Sequence, residues 1–196
     1  MNFLLPILLI LFGIVSYFSI DKQVVEAISD SFKSPLFFLK VQSLIFSPLL
    51  ILLSSAFGLY FVRKKGRSLS LPFLDIFISQ FIAFGAGSGL KVLLGRARPQ
   101  LFLSHELFGF FGFSWNRSYH SFPSGHTLAA FTLAATLALH YPRFQFSFFL
   151  VAALISISRV ISMSHFPSDI LISTALAILI GKGVYTLRRR FIYETV

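Results

Sequence analysis

Residues 158–169 read SRVISMSHFPSD, and they join two apolar segments at 145–163 and 168–187. Each segment has about the length, roughly 20 residues, that an α-helix needs to cross a bilayer. The ionisable side chains between the two segments are costly at the edge of a membrane, so they mark a functional-site hypothesis. We therefore predict a tight turn between two membrane-spanning helices, with a site at that turn.

Four further apolar segments lie upstream of this turn. Only 12% of the 196 residues are charged, whereas soluble domains average about 25%, and the mean hydropathy is +0.81. We predict one all-α domain over residues 1–196, a bundle of six transmembrane helices whose first four members are 3–20, 36–62, 70–94 and 124–141. The sequence contains no Cys, which excludes disulfides and thiolate metal sites.

Basic residues in the connections predict the orientation of the bundle. They cluster after the second, fourth and sixth segments: Arg63, Lys64, Lys65 and Arg67, then Arg143, then Arg188, Arg189 and Arg190. The positive-inside rule makes this side cytoplasmic, with both termini inside. The outer side would hold residues 21–35, the loop 95–123 and the turn 164–167. We expect the long loop, which contains Trp and Tyr, to lie at the membrane surface.

Some cations do not fit this orientation. Those predicted on the outer side without a compensating acid are Lys91, Arg96, Arg98, Arg117 and Arg159. Topology does not explain them, so we expect an anionic partner on that side. The formal net charge of +10 does not by itself predict nucleic-acid binding, because cations that flank apolar segments ordinarily set topology.

Lys91 and Arg98 form the first of three polar blocks. Gly95 favours the end of the third helix, so Lys91 lies in the last helical turn and Arg98-Pro99 follows just beyond it. Lys supplies a point charge and Arg a two-pronged fork, and both suit phosphate oxygens. A purely structural role for basic residues at a helix end explains this block equally well.

The run Pro123-Ser124-Gly125-His126 forms the second block and opens the fourth helix. The free N–H groups and partial positive charge of a helix N-terminus bind anions. Gly125 permits close approach of a ligand, Ser124 adds a hydroxyl donor, and His126 can transfer protons. The alternative is a Pro/Ser helix cap beside an incidental histidine.

Arg159, His165 and Asp169 form the third block, across the turn between the last two helices. The four-residue spacing from His165 to Asp169 can bring the carboxylate beside the imidazole. A carboxylate bonded to one ring nitrogen fixes the tautomer and leaves the other nitrogen free to attack. The alternative is an Asp helix cap with a neighbouring histidine. Because successive helices alternate in direction, all three blocks are predicted to converge on the outer side.

Together the blocks resemble the signature of the type 2 phosphatidic acid phosphatase superfamily of integral membrane lipid phosphatases. That signature is Lys-x6-Arg-Pro, Pro-Ser-Gly-His and Ser-Arg-x5-His-x3-Asp, and all its parts are present between Lys91 and Asp169. The resemblance implies a six-helix fold with an outward-facing site. It also implies a hydrolase that requires no metal or other cofactor.

By this resemblance, His165 attacks phosphorus to form a phosphohistidine, and Asp169 orients and polarises it. His126 protonates the leaving oxygen, and we expect it then to help activate the hydrolytic water. The residues expected to hold the phosphoryl oxygens are Lys91, Arg98, Ser124, Gly125 and Arg159.

Two further sets of polar residues do not change this prediction. A metal site formed by His105, His120 and His126 is disfavoured, because no carboxylate or thiol accompanies them. Asp75 is expected to pair with the basic connection that precedes the third helix.

We predict a phosphatase that acts on a phosphomonoester or pyrophosphate lipid at the outer leaflet. Undecaprenyl pyrophosphate, phosphatidylglycerol phosphate, phosphatidic acid and lipid A phosphates are unranked candidate substrates. The lack of a large soluble insertion favours a bacterial protein of the inner (cytoplasmic) membrane. Its expected partners are the substrate and membrane lipids, without nucleic acid or an obligate protein partner.

Three alternatives stand beside this prediction. A lipid phosphotransferase would use the same site with a different acceptor. A non-enzymatic anion transporter would use the cations without the histidine chemistry. Vanadate-dependent haloperoxidases share the site type, but they are typically soluble.

Overall fold

A computed structural model of the chain describes residues 3–31, 48–63 and 67–194, and it confirms the all-α prediction. Within these ranges the regular structure is helical, apart from one β-bridge between Arg96 and Phe110. The α-helices are α1 (Leu4–Ser19), α2 (Asp21–Ser31), α3 (Pro48–Arg63), α4 (Arg67–Leu94), α5 (Pro99–His105), α6 (Gly125–His140), α7 (Gln145–Ile161) and α8 (Pro167–Glu194). Two short 3₁₀ helices lie at Arg117–Tyr119 and Pro142–Phe144.

The described helices include three that are long and apolar enough to cross a membrane. These are Leu71–Leu94, Pro142–Ile161 and Pro167–Arg190, and the bent pair α1–α2 makes a fourth if it counts as one span. The apolar stretch of α3, Ile51–Tyr60, is shorter, and α6 has 16 residues. Residues 36–47 of the predicted second span lie outside the described ranges. The chain is an integral membrane protein, and the count of six spans stays a prediction.

α6 is the central helix of the bundle, packed against α4, α7 and α8. Its sequence is rich in Ala and Thr, and such small side chains let neighbouring helices approach closely. The apolar core consists of residues from these four helices: Ala83, Leu128, Ala130, Phe131, Ala134, Ala152, Ile155 and Ala177. This packing fixes the first residue of α6 relative to the ends of α4 and α7 and the start of α8.

α1 runs along α8, and its close approach requires Gly13. A Cβ at that position would lie 2.5 Å from Cγ1 of Ile172, which is closer than packed atoms tolerate. The chain then bends by 63° into α2. The prediction of a loop over residues 21–35 is therefore wrong for residues 21–31, which are helical. An acidic residue in the first turn, Asp21, suits the positive end of the α2 dipole.

Large apolar side chains cover the outside of the bundle. Those of α1, α3, α4 and α7 that are more than half exposed include Phe12, Phe18, Phe57, Phe81, Phe146 and Leu154. Water penalises such surfaces, whereas lipid does not, because the acyl chains are themselves apolar. The exposed Phe side chains therefore agree with a bundle that is solvated by lipid.

Asp75 lies buried near the start of α4, at the end of the bundle where α6 and α8 finish. Its carboxylate accepts a hydrogen bond from Nε of Arg188 and lies 2.8 Å from Nε2 of His140. Residues 64–66 of the basic connection, which we expected to pair with it, lie outside the described ranges. The partners that the structure shows tie three helices together at this end.

Candidate active site

The three sequence blocks lie at one end of the bundle, where α4 and α7 finish and α6 and α8 begin. We call this the site end. Gly95, with φ of +52°, terminates α4, and a Cβ there would lie 1.9 Å from the carbonyl oxygen of Gly112. Glycine is thus required, since this close approach holds the loop after α5 against the end of α4.

Lys91 and Arg98 converge on the backbone just before α6. Nζ of Lys91 donates to the carbonyl oxygens of Pro123 at 2.6 Å and His120 at 3.2 Å. Nη2 of Arg98 donates to the same His120 oxygen at 3.5 Å. Two cations that share one acceptor repel each other, so the arrangement favours a nearby anion.

Arg98 also carries an unsatisfied donor. Its Nε is buried and has no hydrogen-bond partner within the described part of the chain. Burial lowers the pKa of Arg98, and the carboxylate of Asp169 partly offsets this effect. A buried N–H without a partner is costly, and a phosphoryl oxygen would satisfy it.

His165 is 4% exposed and is held by a backbone carbonyl. Its Nδ1 lies 2.6 Å from the oxygen of Ser121. Because a carbonyl only accepts, Nδ1 carries the proton in the neutral ring, and Nε2 keeps its lone pair. Burial lowers the pKa of His165 well below its usual value, and the cations of Lys91 and Arg98 lower it further. The imidazole is therefore neutral at pH 7.

Asp169 begins α8 beside this ring, at 0% exposure. Its Oδ2 lies 3.8 Å from Nδ1 of His165, too far for a hydrogen bond. The predicted hydrogen bond between Asp169 and His165 is therefore absent, and the Ser121 carbonyl takes its place at Nδ1. Ser121 links the two groups, because its hydroxyl donates to Oδ2 of Asp169 at 2.6 Å while its carbonyl holds His165.

Arg96 does not have the external anionic partner that its charge suggested. It is 1% exposed, and its guanidinium bonds to Asp21 at 2.7 Å, to Ser168 at 2.8 Å and also to Asp169. The prediction that Arg96 lacks a compensating acid is therefore wrong, since Asp21 and Asp169 both pair with it. The negative charges that compensate it are supplied by the chain itself.

Ser124, Gly125 and His126 open α6 as predicted. Ser124 N donates to Oγ of Ser173 at 2.9 Å, and Thr127 donates to Oγ of Ser124 at 3.0 Å, which fixes the helix start against α8. The charge of a protonated His126 disfavours protonation of His165, which shows that the two rings lie within electrostatic range. His126 is half-buried.

A Cβ on Gly125 would meet only ordinary contacts, 3.5 Å from Pro48 and 3.8 Å from Lys91. The described residues therefore do not themselves demand glycine. Gly125 and Lys91 line a mainly apolar cavity of about 100 Å³, whose other walls are Pro48, Gln80, Ala83, Phe84, Gly87, Ser88, Leu128 and Ala129. A side chain at position 125 would project toward this space.

Arg159 sets the turn that carries His165. Its carbonyl accepts from the N–H groups of Ser164 at 3.1 Å and His165 at 3.3 Å. Its guanidinium lies buried at the end of α7, with Nε 3.3 Å from Oγ of Ser158. The third block thus forms one compact turn at the site end.

Metal-binding side chains do not cluster here. Across the described ranges, no group of three or more His, Asp or Glu side chains is placed to hold a metal ion. The ring of His120, considered above as a ligand, lies with Nε2 2.9 Å from the carbonyl oxygen of Ser114.

Four residues of the site were missed by the sequence analysis or given another role: Asp21, Arg96, Ser121 and Ser168. Ser is common in this chain, so neither serine stood out. Asp21 lies 75 residues before Arg96, in the predicted outer-side connection 21–35. The sequence marked Arg96 as a cation that topology does not explain, but its partners could not be identified because they are distant in sequence.

Known proteins resemble this chain in sequence and in fold. A family model described as the PAP2 superfamily matches residues 72–193. A lipid A 1-phosphatase of Rhizobium etli is 31% identical over 115 residues, which cover 58% of this chain and 50% of that protein. A lipid A 1-phosphatase of Porphyromonas gingivalis is 37% identical over 129 residues, 62% of this chain and 25% of that protein.

A solved structure shares the fold. It is the crystal structure of a transmembrane PAP2-type phosphatidylglycerolphosphate phosphatase from Bacillus subtilis, with 22% identity and a TM-score of 0.51. The match covers 94% of this chain and 96% of that one. The chain spans about half the length of the Rhizobium relative. Because the family model matches more than half of the sequence, the chain belongs to the PAP2 superfamily.

Proposed function

We propose that this protein is a membrane-embedded phosphatase that hydrolyses a lipid phosphomonoester or pyrophosphate through a phosphohistidine on His165. The observation that carries the proposal is the buried, neutral imidazole of His165, with Nδ1 bonded to Ser121 and with Lys91 and Arg98 nearby. Membership of the PAP2 superfamily supports the same chemistry.

In the first step, Nε2 of His165 forms a bond to phosphorus while the phosphorus–oxygen bond to the lipid breaks. The leaving oxygen takes a proton from His126. Positive charge then develops on the imidazole, and the carbonyl of Ser121 and the carboxylate of Asp169 stabilise it.

In the second step, water attacks the phosphohistidine. His126, now neutral, takes a proton from the water as its oxygen bonds to phosphorus. The nitrogen–phosphorus bond breaks, inorganic phosphate leaves, and neutral His165 is restored.

The phosphoryl oxygens would be held by the cations and by the start of α6. Lys91 and the unsatisfied Nε of Arg98 supply donors from one side, and Arg159 lies buried at the end of α7. Ser124 and the backbone N–H of Gly125 supply the α6 terminus. Fixed donors of this kind stabilise the charge of a phosphoryl transition state.

The cavity beside Lys91 fits the part of a lipid next to its phosphate. Its walls are mainly apolar, and Lys91 and Gly125 are among the residues that line it. A lipid can thus place its head group among the cations while its first carbons contact Ala83 and Leu128.

We place the site end at the outer leaflet of a bacterial cytoplasmic membrane, with both termini inside. The run Arg188-Arg189-Arg190 near the end of α8 and the basic residues between α3 and α4 support this orientation. The lipid A 1-phosphatases at 31% identity make a lipid A phosphate the first substrate to test.

The test is phosphate release from purified lipid phosphates, with the protein in detergent–lipid micelles. The panel contains lipid A, phosphatidylglycerol phosphate, phosphatidic acid and undecaprenyl pyrophosphate. The wild type should release phosphate in equal amount to the lipid consumed, and His165→Ala should release none. His105→Ala, an exposed histidine on α5, should match the wild type.

Two results would contradict the proposal. Absence of turnover on every lipid would exclude the phosphatase, and full activity in His165→Ala would exclude this nucleophile. Consumption of lipid without release of phosphate would indicate transfer to another acceptor instead.

A further inference from the structure

A buried network of three charged residues lies next to His165. Asp21 at the α1–α2 bend, Arg96 after α4 and Asp169 at the start of α8 are each at most 1% exposed. Arg96 bridges the two carboxylates, with Nη2 2.7 Å from Asp21 and with Nη1 bonded to Asp169. Burying three charged side chains is costly unless each charge is paired and hydrogen-bonded.

Asp21 is fully engaged, since four donors reach its two oxygens. Oδ1 accepts from Oγ of Ser16 at 2.9 Å and from the backbone N–H of Ser168 at 2.9 Å. Oδ2 accepts from Arg96 and from the Ser168 hydroxyl. The carboxylate of Asp21 therefore also caps the first turn of α8, the turn that contains Asp169.

Aromatic rings enclose the guanidinium of Arg96. Its Cζ lies 4.8 Å from the ring centre of Phe166, 4.9 Å from Tyr17 and 5.3 Å from Phe110. The rings stabilise the cation and exclude water from it. Arg96 is thus fixed in position and has no access to a substrate.

The network of Asp21, Arg96 and Asp169 connects to His165 through Ser121. The backbone N–H of Ser121 donates to the carbonyl oxygen of Arg96 at 3.0 Å, and its hydroxyl donates to Asp169. The Ser121 carbonyl then holds Nδ1 of His165. The backbone carbonyl of Arg96 therefore holds Ser121, and the Arg96 side chain holds Asp169.

We propose that Arg96 and Asp21 are positioning residues for the phosphohistidine reaction. They hold the Asp169 carboxylate and Ser121 in place, so that Nδ1 of His165 keeps its proton and Nε2 faces the phosphorus. The bend between α1 and α2 is consequently part of the catalytic apparatus. This inference rests on the function proposed above.

The test compares Asp21→Asn and Arg96→Lys with the wild type, using a lipid phosphate that the wild type hydrolyses. The asparagine keeps the shape of Asp21 but not its charge, and lysine cannot bridge both carboxylates. Each variant should lower kcat by about 10- to 100-fold, because small misplacement of a reacting group costs this much. KM and inhibition by inorganic phosphate should stay within about twofold, since neither residue touches the phosphate pocket.

A milder variant, Ser168→Ala, keeps the test decisive if the charge variants fold poorly. It removes one hydrogen bond from Arg96 and one to Asp21 without leaving an unpaired charge. It should lower kcat by about threefold with KM unchanged, a smaller loss than in the charge variants because Arg96 stays paired with both carboxylates. Glu26→Gln, an exposed acid on α2, is the matched control and should behave as wild type.

Each outcome decides the inference. If the wild type turns over and all three site variants keep wild-type kcat, Arg96 and Asp21 have no positioning role. A rise of KM and of the phosphate inhibition constant in step with the fall of kcat would indicate general distortion and would likewise overturn it. Absence of turnover in the wild type would remove the proposed function and this inference together.

Discussion

The carbonyl oxygen of Ser121 lies 2.6 Å from Nδ1 of His165, and this contact determines the tautomer of the ring. An acceptor at Nδ1 leaves the lone pair on Nε2, the nitrogen that attacks phosphorus in the mechanism proposed above. In many nucleophilic sites a carboxylate takes this place. Here Asp169 lies 3.8 Å away and accepts a hydrogen bond from the Ser121 hydroxyl instead, so Ser121 contacts both groups.

The pH dependence of kcat/KM reports on His165. In the proposed mechanism attack requires the neutral imidazole, and burial together with Lys91 and Arg98 lowers the pKa of His165. A lowered pKa keeps the ring neutral to more acidic pH, so the acid limb should lie below about 6.5, the ordinary value for histidine. A pH–rate profile in buffers of constant ionic strength measures it. An acid limb at or above that value would contradict a buried, neutral nucleophile.

Arg98→Lys tests the phosphate contact. Lysine keeps the charge but loses Nε, the buried donor without a partner in the described structure. We expect kcat/KM to fall by about 10- to 100-fold, less than the roughly 100- to 1,000-fold typical of losing a transition-state donor, because lysine keeps the positive charge. Arg143→Lys, at an exposed arginine between α6 and α7, is the control and should leave kcat/KM unchanged. If Arg98→Lys had the same kcat/KM as Arg143→Lys, Arg98 would not contact the phosphate.

Asp75→Asn tests the opposite end of the bundle. It weakens the contacts of Asp75 with His140 and Arg188, which join α4, α6 and α8. The free energy of unfolding should fall by about 1–3 kcal/mol, as for a buried hydrogen bond to a charged group. Thermal or SDS unfolding in detergent measures the change, and kcat of the folded protein should not alter. Loss of kcat with unchanged stability would instead give Asp75 a part in function.

Trp115 reports where the loop after α5 lies. It is the one tryptophan of the chain, is 75% exposed, and contacts the ring of Phe113 with centres 5.5 Å apart. Aromatic side chains favour the membrane interface. In liposomes, lipids brominated near the head group should quench Trp115 fluorescence more than deeply brominated ones, and Trp115→Phe should abolish the signal. Quenching by aqueous iodide but by neither lipid would place the loop in water.

Helix ends near the site were predictable because local residues specify them. α4 ends at Leu94, next to the left-handed Gly95, and α6 begins just after Pro123-Ser124. These signals depend on backbone chemistry within one turn, so they can be read from the sequence. The three polar blocks therefore met at one end, as alternating helix directions require.

The support behind His165 was not predictable in the same way. Arg96 bonds to Asp21 across 75 residues and to Asp169 across 73, and no local pattern records such contacts. The position of Asp21 depends on the bend after α1, in the connection between the first two predicted spans. The role of Ser121 depends on a backbone carbonyl, which every residue possesses.

The most direct test of the central claim is labelling of His165 by a lipid phosphate carrying radioactive phosphorus. Wild-type protein quenched during turnover should carry label that is lost in acid and kept in alkali, the behaviour of a phosphorus–nitrogen bond. His165→Ala should carry none, while His105→Ala should be labelled as the wild type is. Equal labelling of His165→Ala, or turnover by the wild type through an unlabelled enzyme, would contradict the phosphohistidine mechanism.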